Sequence, residues 1–368
     1  MAVPMIDLRA QYAPILPEIH AAIARVFETC QFRGGPEVEQ FESAVASLVG
    51  VRHAIGVASG TDALLLAIRA LGIRPGDEII TTPFTFFATA GAIVNAGGTP
   101  VFADIDPDTF NIDPESVAQR ITPRTRAILP VHLYGQCADM DSLRNLARQH
   151  GLALIEDCAQ ALGASYRGQV AGSMGDIAAL SFYPTKNLGA AGEGGMVLTS
   201  DDHLADRVRK LRCHGGSVQY THEMVGTNSH LHAIQAAVLN VKLRHLPAWN
   251  EARREKACRY DALLADLEDL RRPKTMPDRE HVFHQYVIRI PRRDEAVALF
   301  RERGIGCGVF YPIPLHRQQC FAPWTGNTTC PRAEAAAREV LALPIYPELS
   351  ELQQQEVADA LRDHLRRV

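Results

Sequence analysis

The sequence predicts an α/β protein in which a mostly parallel sheet is covered by helices and followed by a smaller α+β domain. Two observations support this fold class. Strand and helix patterns alternate between residues 40 and 150, and the predicted elements become shorter after about residue 275. A chain of 368 residues is also too long for one minimal domain. We therefore expect a large domain over residues 1–245 and a small C-terminal domain over residues 246–368.

Each element of the large domain follows from its local pattern. Apolar residues spaced by three and four predict helices, and short apolar runs bounded by turn residues predict strands. The predicted helices are 38–49, 62–71, 85–96, 114–120, 140–150 and 202–213. The predicted strands are 53–58, 77–81, 100–103, 125–131, 153–156, 177–182 and 195–199, of which the last two form a pair. Because strands and helices alternate, the sheet should be mostly parallel and buried on both faces.

A hinge between the two domains is expected near Pro247. A helical pattern runs from about residue 232 to 245 and continues from Pro247 to about residue 267. Proline lacks a backbone N–H and clashes with the preceding turn, so Pro247 should break or kink this helix. The small domain is then predicted to contain strands at 282–290 and 309–311 and helices at 293–303, 332–341 and 351–367.

Bulk composition argues against several classes of function. The chain is 46% apolar and 22% charged, with a formal net charge of −4, so a surface for nucleic acid or anionic membrane is not expected. Apolar stretches are too short for a membrane span, and the N-terminus does not resemble a secretory signal. The eight cysteines form no CxxC pair and the 14 histidines no HExxH motif. We expect a cytoplasmic protein with free thiols and without a metal site.

Lys186 is the only lysine among the first 209 residues, although the whole chain has 38 lysines and arginines. It lies in a segment rich in glycine and alanine, between residues 181 and 195. Schiff-base chemistry needs a primary amine that can lose its proton, which arginine cannot supply. Lys186 is therefore a candidate for covalent catalysis, and the alternative is a solvated loop lysine.

Two further segments accompany this lysine. Ser59, Gly60 and Thr61 lie between a predicted strand and a predicted helix, where free N–H groups can bind a phosphate. The same residues also cap ordinary helices. Asp157 follows an apolar strand, at the sheet edge where ligands bind in parallel sheets. It could keep a pyridine nitrogen protonated or simply cap a helix.

These segments belong to an ordered set of motifs that spans nearly the whole chain. The set consists of Gly-Pro-Glu-Val-Glu at 35–39, Ser-Gly-Thr-Asp-Ala-Leu at 59–64, Pro-Gly-Asp-Glu-Ile-Ile at 75–80, Val-Phe-Ala-Asp-Ile-Asp at 101–106, Glu-Asp-Cys-Ala-Gln at 156–160, Ser-Phe-Tyr-Pro-Thr-Lys-Asn-Leu-Gly at 181–189, Gly-Thr-Asn-Ser at 226–229, Ile-Gln-Ala-Ala-Val-Leu at 234–239 and Phe-Tyr-Pro-Ile-Pro-Leu-His at 310–316. It resembles the DegT/DnrJ/EryC1/StrS family of nucleotide-sugar aminotransferases, which depend on pyridoxal 5′-phosphate.

The resemblance implies a fold type I aminotransferase with a seven-stranded sheet in its large domain. It implies that Lys186 is catalytic, first as the Schiff-base lysine and then as the base that moves a proton. Its cofactor-binding residues would be Gly60, Thr61 and Ser181 at the phosphate, Phe86 on the ring, Asp157 at the pyridine nitrogen, Gln160 at the phenolic oxygen and Asn228 at the phosphate of the neighbouring subunit. Tyr311 and His316 would contact the sugar. The role of Asn228 implies a homodimer with shared active sites.

One position departs from the family pattern. Many relatives carry Arg-Leu followed by Asp or Glu after the Asn-Ser pair, whereas this chain has His230, Leu231 and His232. An arginine there would bind a carboxylate or phosphate through two parallel hydrogen bonds. Its loss leaves open how the donor carboxylate or an anionic part of the sugar is held, with Arg212 as one possible replacement.

The implied reaction transfers an amino group from L-glutamate to a keto-sugar nucleotide. Residues 133–141 and the segments around Lys186 and Asn228 resemble enzymes that aminate C3 more than those that aminate C4. The substrate would be a UDP-2-acetamido-3-keto sugar, which is preferred, or a dTDP-3-keto-6-deoxyhexose. The product would serve aminosugar synthesis for cell-surface polysaccharide or lipid A.

Several alternatives to this reaction are retained. They are amination at C4, a sugar dehydratase of the same family and a non-catalytic regulatory paralogue. Dehydratase relatives carry histidine in place of the catalytic lysine, so Lys186 argues against elimination. A nicotinamide enzyme is not expected, because no GxGxxG motif leads from a strand into a helix.

Overall fold

The structure, a computed structural model, describes residues 2–366. Its helices are α1 Leu8–Tyr12, α2 Leu16–Thr29, α3 Pro36–Val49, α4 Gly60–Ala70, α5 Phe87–Asn95, α6 Pro114–Ala118, α7 Met140–His150, α8 Asp202–Leu211, α9 Ala233–Leu243, α10 Leu246–Leu263, α11 Arg293–Glu302, α12 Ala322–Thr325, α13 Pro331–Glu339 and α14 Glu351–Leu365. Its strands are β1 His53–Val57, β2 Glu78–Thr81, β3 Thr99–Phe102, β4 Thr125–Leu129, β5 Ala153–Asp157, β6 Ser165–Tyr166, β7 Gln169–Val170, β8 Ile177–Ser181, β9 Gly195–Thr199, β10 Arg279–Glu280, β11 Tyr286–Arg289 and β12 Val340–Leu343.

A seven-stranded, mostly parallel sheet forms the centre of the protein, which confirms the predicted fold class. Its strand order is β1-β9-β8-β5-β4-β2-β3. The strands from β3 to β8 pair in parallel, whereas β9 is antiparallel to both of its neighbours. The strand pair predicted around the lysine segment is therefore β8 and β9.

Helices cover both faces of this sheet because its strands are apolar on both sides. Consecutive residues such as Ile79 and Ile80 pack into two different buried clusters. One cluster includes residues of α4, α5 and α8, and the other includes residues of α2, α3, α7 and α9. This double burial is what the alternating pattern predicted for a parallel sheet.

The sheet brings the predicted site residues to one edge. Asp157 is the last residue of β5 and Ser181 the last residue of β8, which run parallel. β1 pairs antiparallel with β9 and therefore runs in the same direction as β8, so Ser59 follows its end at the same edge. Carboxyl ends of parallel strands form the usual ligand-binding edge.

The helix break near Pro247 is confirmed. Helix α9 ends at Leu243, and α10 begins at Leu246 with Pro247 in its first turn. Proline suits this position because the first helical N–H groups have no intrahelical partner.

The C-terminal part is built on the antiparallel pair β11 and β12, with a buried cluster of its own. Val3 belongs to this cluster and forms a bridge with Ile305, so the beginning of the chain packs against the C-terminal part. A domain boundary between residues 245 and 246 stays a prediction.

Three sequence predictions in this part were wrong in detail. Within residues 2–366, no strand forms at 309–311, and the strand predicted at 282–290 covers only Tyr286–Arg289. The helix predicted at 332–341 ends at Glu339, where β12 begins. The run from Val340 to Leu343 is fully buried, and a short buried apolar run does not distinguish a strand from the end of a helix. Residue 367 of the last predicted helix lies outside the described residues.

No helix within residues 2–366 combines the length and the apolar character that a transmembrane span requires.

Candidate active site

A cavity of about 570 Å³ opens at the carboxyl edge of the large sheet. Eight of the ten predicted site residues line it, namely Gly60, Thr61, Phe86, Asp157, Gln160, Ser181, Lys186 and Tyr311. They come from five separate segments of the chain. The sheet thus brings together most of the site that the motifs indicated.

Lys186 lies in the turn-rich segment between β8 and β9. Burial lowers the pKa of its amine to about 8, while the negative charge of Asp157 opposes this shift. At pH 7 roughly a tenth of such amines are unprotonated, compared with fewer than about one in a thousand for an ordinary lysine. Lys186 is therefore suited to act as a nucleophile and as a base.

Asp157 is a buried carboxylate with directed hydrogen bonds. Its Oδ2 accepts a bond of 2.9 Å from the hydroxyl of Thr89, and its Oδ1 accepts a bond of 3.1 Å from the N–H of Ala159. Burial raises the pKa of Asp157, whereas these two hydrogen bonds and the charge of Lys186 lower it. No ion pair to Asp157 occurs among residues 2–366, so the site can accept a cationic N–H group beside it.

The start of α4 forms a close-packed cradle. Ser59 caps this helix, because its hydroxyl accepts a bond of 3.1 Å from the N–H of Asp62. A side chain at Gly60 would approach Ser181 Cβ within 2.5 Å, so only glycine allows Ser181 to lie this close. The capping interpretation therefore holds for Ser59. The unpaired N–H groups of the first turn still provide an anion site beside the Ser181 hydroxyl.

The side chain of Gln160 has a fixed orientation. Its Oε1 accepts a bond of 2.6 Å from the N–H of Tyr134, and its Nε2 donates a bond of 3.2 Å to the hydroxyl of Tyr311. Burial raises the pKa of Tyr311, so this phenol remains protonated and can donate. Phe86 lines the cavity and is 59% exposed, so its ring is available to cover a planar ligand.

Two predicted residues lie outside the cavity of this chain. His316 is buried, and its Nε2 donates a 2.9 Å hydrogen bond to Glu334 while its ring packs near Phe102. Asn228 forms a bridge with Cys213 in the segment that follows α8. The structure does not bring either residue to Lys186.

Several cavity residues were not predicted from the sequence, among them Thr89, His284 and Gln285. Thr89 lies in the first turn of α5, four residues after Thr85, and this spacing could have indicated a polar helix face directed at the site. His284 and Gln285 reach the cavity from the C-terminal part, and no local pattern indicates this.

His230 stands where many relatives carry an arginine, but it cannot replace the positive charge of that arginine. Burial lowers the pKa of His230 to about 4, with further lowering by Arg33 and Arg212, so its ring is neutral at physiological pH. Arg212 itself is bound to Glu42 at 2.8 Å and to the carbonyl oxygen of Gly56. Neither His230 nor Arg212 lines the cavity of its own chain.

One buried group has the residue types of a metal site, namely His132, Glu156 and Cys158. Both ring nitrogens of His132 are already bonded, to Glu156 at 2.8 Å and to the N–H of Ala138 at 3.1 Å. Glu156 also accepts hydrogen bonds from three backbone N–H groups. These hydrogen bonds explain why the three side chains lie together, and they do so without a bound ion.

The residues present fit pyridoxal 5′-phosphate. The cradle at Gly60 suits a phosphate, Asp157 suits a pyridinium N–H, and Lys186 lines the same cavity. Each group alone has a simpler explanation, but their arrangement in one cavity matches the three ends of this cofactor.

Comparison with known proteins agrees with this geometry. A model of the DegT/DnrJ/EryC1/StrS aminotransferase family matches residues 15–362. The chain is 49% identical to a pleiotropic regulatory protein of Geobacillus stearothermophilus, with 100% of this chain and 99% of the relative aligned. It is 47% identical to the UDP-N-acetyl-3-dehydro-alpha-D-glucosamine 3-aminotransferase of Acidithiobacillus ferrooxidans, with 98% and 97% aligned.

Two further matches come from Streptomyces venezuelae. A dTDP-3-amino-3,4,6-trideoxy-alpha-D-glucose transaminase is 47% identical, with 100% of this chain and 97% of the relative aligned. The crystal structure of DesV in complex with a ketimine intermediate superposes with a TM-score of 0.97 at 47% identity, covering 100% and 99% of the two chains. The chain is therefore a fold type I, pyridoxal-phosphate-dependent enzyme that belongs to the DegT/DnrJ/EryC1/StrS aminotransferase family.

Proposed function

We propose that this enzyme transfers an amino group from L-glutamate to C3 of a keto-sugar nucleotide. The observation that carries the proposal is the pairing of Lys186 and Asp157 in one cavity beside the phosphate cradle. The names of the Acidithiobacillus and Streptomyces relatives support a UDP-2-acetamido-3-keto sugar or a dTDP-3-keto-6-deoxyhexose as the acceptor.

We assign the cofactor contacts as follows. Gly60, Thr61 and Ser181 bind the phosphate, Phe86 covers the ring, Asp157 pairs with the ring nitrogen, and Gln160 faces the ring oxygen. When bound, the cofactor acts as an electron sink that makes the hydrogen on the carbon next to the reacting nitrogen acidic. Asp157 supports this role because a carboxylate beside the ring nitrogen keeps that nitrogen protonated.

Lys186 then carries out the proton movements. Its amine, with a pKa of about 8, is free often enough at neutral pH to attack a carbonyl carbon. Once free, the same Nζ can take a proton from one carbon and return it to another. The negative charge of Asp157 raises the pKa of Lys186 and so stabilises its ammonium form between these two steps.

We propose that the enzyme is a homodimer in which Asn228 reaches the active site of the neighbouring subunit. Asn228 lies outside the cavity of its own chain, and its segment carries three exposed apolar side chains. These are Val218, Tyr220 and Val225. An exposed apolar group of this kind is typical of an interaction surface. Tyr311 remains a sugar-side candidate because it lines the cavity, whereas His316 could act only indirectly through its neighbours.

We also propose a cytoplasmic location and a role in aminosugar synthesis for cell-surface polysaccharide or lipid A. All eight cysteines are unpaired, which is usual in a reducing compartment. The name of the Geobacillus relative points to a regulatory role. The complete set of Lys186, Asp157 and Gln160 favours catalysis over such a role.

The proposal is tested by assaying protein reconstituted with pyridoxal phosphate. L-glutamate is supplied with a panel of UDP- and dTDP-linked 3-keto and 4-keto sugars, and amino-sugar formation is measured. We expect turnover with 3-keto sugars and much less with 4-keto sugars. Preferred turnover of a 4-keto sugar would overturn the C3 assignment. If the reconstituted protein shows no cofactor absorbance band, and hence none that borohydride can bleach, the regulatory alternative is supported.

A further inference from the structure

His284 and Gln285 form a wall of the cavity for which the proposed cofactor contacts give no role. Both residues line the same cavity as Lys186, and they reach it from the segment just before β11. Gln285 is 8% exposed, and its Oε1 is buried without a hydrogen-bond partner among residues 2–366. An unpaired buried oxygen is unfavourable, so a bound donor at this position would relieve a penalty in the folded protein.

A chain of amide side chains determines which nitrogen of His284 carries the proton. Asn250 Nδ2 donates to the carbonyl oxygen of Leu162 at 3.1 Å, which leaves Asn250 Oδ1 to accept from Asn187 Nδ2 at 2.8 Å. Asn187 Nδ2 also donates to the carbonyl oxygen of Val282 at 3.0 Å. Backbone carbonyls only accept, so both amide orientations are fixed. Asn187 Oδ1 is thus the acceptor that faces His284 Nδ1 at 3.1 Å, and Nδ1 must donate.

The other ring nitrogen of His284 is consequently an acceptor. Burial holds the pKa of His284 well below its usual value, and the charges of Lys186 and Arg253 lower it further, so the ring is neutral. A neutral imidazole with its proton on Nδ1 has a free lone pair on Nε2. The side chain of His284 makes no other hydrogen bond within the described part of the chain. His284 Nε2 and Gln285 Oε1 are therefore two neighbouring acceptors without donors.

We propose that this His284–Gln285 wall recognises the hydroxyl or amide N–H groups of the sugar ring in the nucleotide substrate. The inference rests on the proposed function, and it assigns the sugar ring of the substrate to the His284–Gln285 wall. Two acceptors attract a ligand that presents several donors, as a pyranose does. The lone pair of His284 Nε2 disfavours a diphosphate or a carboxylate at its own position, because these groups present only acceptors at neutral pH. The wall thus makes His284 and Gln285 specificity-determining residues.

The test separates the affinity for the sugar from the affinity for the nucleotide. Calorimetric titrations of the pyridoxal-phosphate-loaded enzyme use UDP, UDP-N-acetylglucosamine, dTDP and dTDP-glucose. The ratio of Kd for the nucleotide to Kd for the nucleotide sugar measures the contribution of the sugar. We expect His284→Phe to reduce this ratio about three- to tenfold, because one hydrogen bond is worth about 0.5–1.5 kcal/mol. Kd for the nucleotide alone should stay within about twofold.

Two further variants distinguish recognition from a structural effect. His284→Gln keeps an acceptor near the position of Nε2 and should restore part of the ratio, whereas Gln285→Met should lower it as His284→Phe does. An unchanged ratio in both His284→Phe and Gln285→Met would overturn the assignment. An equal loss of the glutamate half-reaction and of sugar binding would also overturn it, in favour of a role in holding Lys186. If the wild-type enzyme binds neither nucleotide sugar, the proposed function itself fails.

Discussion

Thr89 donates a 2.9 Å hydrogen bond from its hydroxyl to Oδ2 of Asp157, which links the first turn of α5 to the end of β5. Both side chains are buried. Burial raises the pKa of Asp157, and the Thr89 bond is one of the contacts that oppose this shift. Thr89 therefore helps to keep Asp157 ionised, which is the state that can pair with a protonated ring nitrogen.

Thr89→Val should move the acid limb of the kcat profile to higher pH. The variant removes a donor to a charged acceptor, worth about 1.5–3 kcal/mol, and so raises the pKa of Asp157 by roughly one unit or more. Asp157 is then protonated at a higher pH as the pH falls, and activity is lost earlier. The profile should be measured from about pH 5 to pH 9.

Thr199→Val provides the matched control for this shift. Thr199 is equally buried and donates a 2.7 Å bond to the carbonyl oxygen of Asp176, away from the cavity. Its loss should reduce stability without moving the acid limb. Identical profiles for Thr89→Val and the wild type would show that Thr89 does not tune Asp157.

Lys186→Ala should retain cofactor or substrate binding but lose turnover by at least about a thousandfold, because one side chain supplies both the nucleophile and the proton carrier. Turnover should be measured together with cofactor absorbance, so that failed binding is distinguished from failed chemistry. Lys274→Ala is the control, since Lys274 is exposed and paired with Asp108 at 2.8 Å. Comparable activity in the two variants would refute the assignment of Lys186.

Lys186→Met should stabilise the cofactor-free protein at neutral pH. The folded state lowers the pKa of Lys186 from 10.5 to about 8, so keeping this amine charged in the fold is unfavourable below pH 8. Between pH 8 and 10.5 the unfolded chain binds the proton that the folded chain has released, and wild-type stability rises with pH.

The gain from Lys186→Met should therefore reach up to about 3 kcal/mol at pH 7 and shrink as the pH rises towards 10.5. Urea unfolding of both proteins without cofactor, at pH 7 and pH 10, measures this difference. Lys274→Met should show no such gain, because its amine is exposed. If the difference in the free energy of unfolding between Lys186→Met and the wild type does not change with pH, it arises from packing and not from burial of the charge.

The sequence alone was sufficient to predict the location of those site residues that lie at or just after the ends of strands. Asp157 and Ser181 end parallel strands, and Ser59 follows a strand of the same direction, so strand prediction alone brings them to one edge. Gly60 could also be understood locally, since it begins the helix after that strand. The choice between a phosphate site and an ordinary cap required the neighbouring Ser181, which only the fold supplies.

The remaining parts depend on contacts between distant segments. The orientation of His284 is fixed by Asn187 and Asn250, which belong to a loop and a helix far away in sequence. The strand from Val340 to Leu343 looked like the end of a helix because its pairing partner β11 is about fifty residues earlier. Long-range pairing of this kind leaves no periodic signal in either segment.

Mixing two inactive variants should restore activity if Asn228 serves the neighbouring subunit. Asn228 lies outside the cavity of its own chain, in a segment with exposed apolar side chains. In a dimer of Lys186→Ala and Asn228→Ala chains, one site combines an intact Lys186 with an intact Asn228 from the other chain. Random exchange makes half of the dimers mixed, so roughly a quarter of all sites should be complete.

The recovery should be measured as turnover after the subunits of two differently tagged variants have exchanged. Lys186→Ala mixed with the double variant Lys186→Ala/Asn228→Ala is the control, since no combination of these chains has an intact lysine. Turnover close to a quarter of the wild-type value in the first mixture and none in the second is the expected result. If tag capture shows mixed dimers but turnover does not rise, Asn228 does not complete the neighbouring site. A site completed by Asn228 of the neighbouring subunit would then be excluded, because the only complete combination in the mixture would have been formed and found inactive.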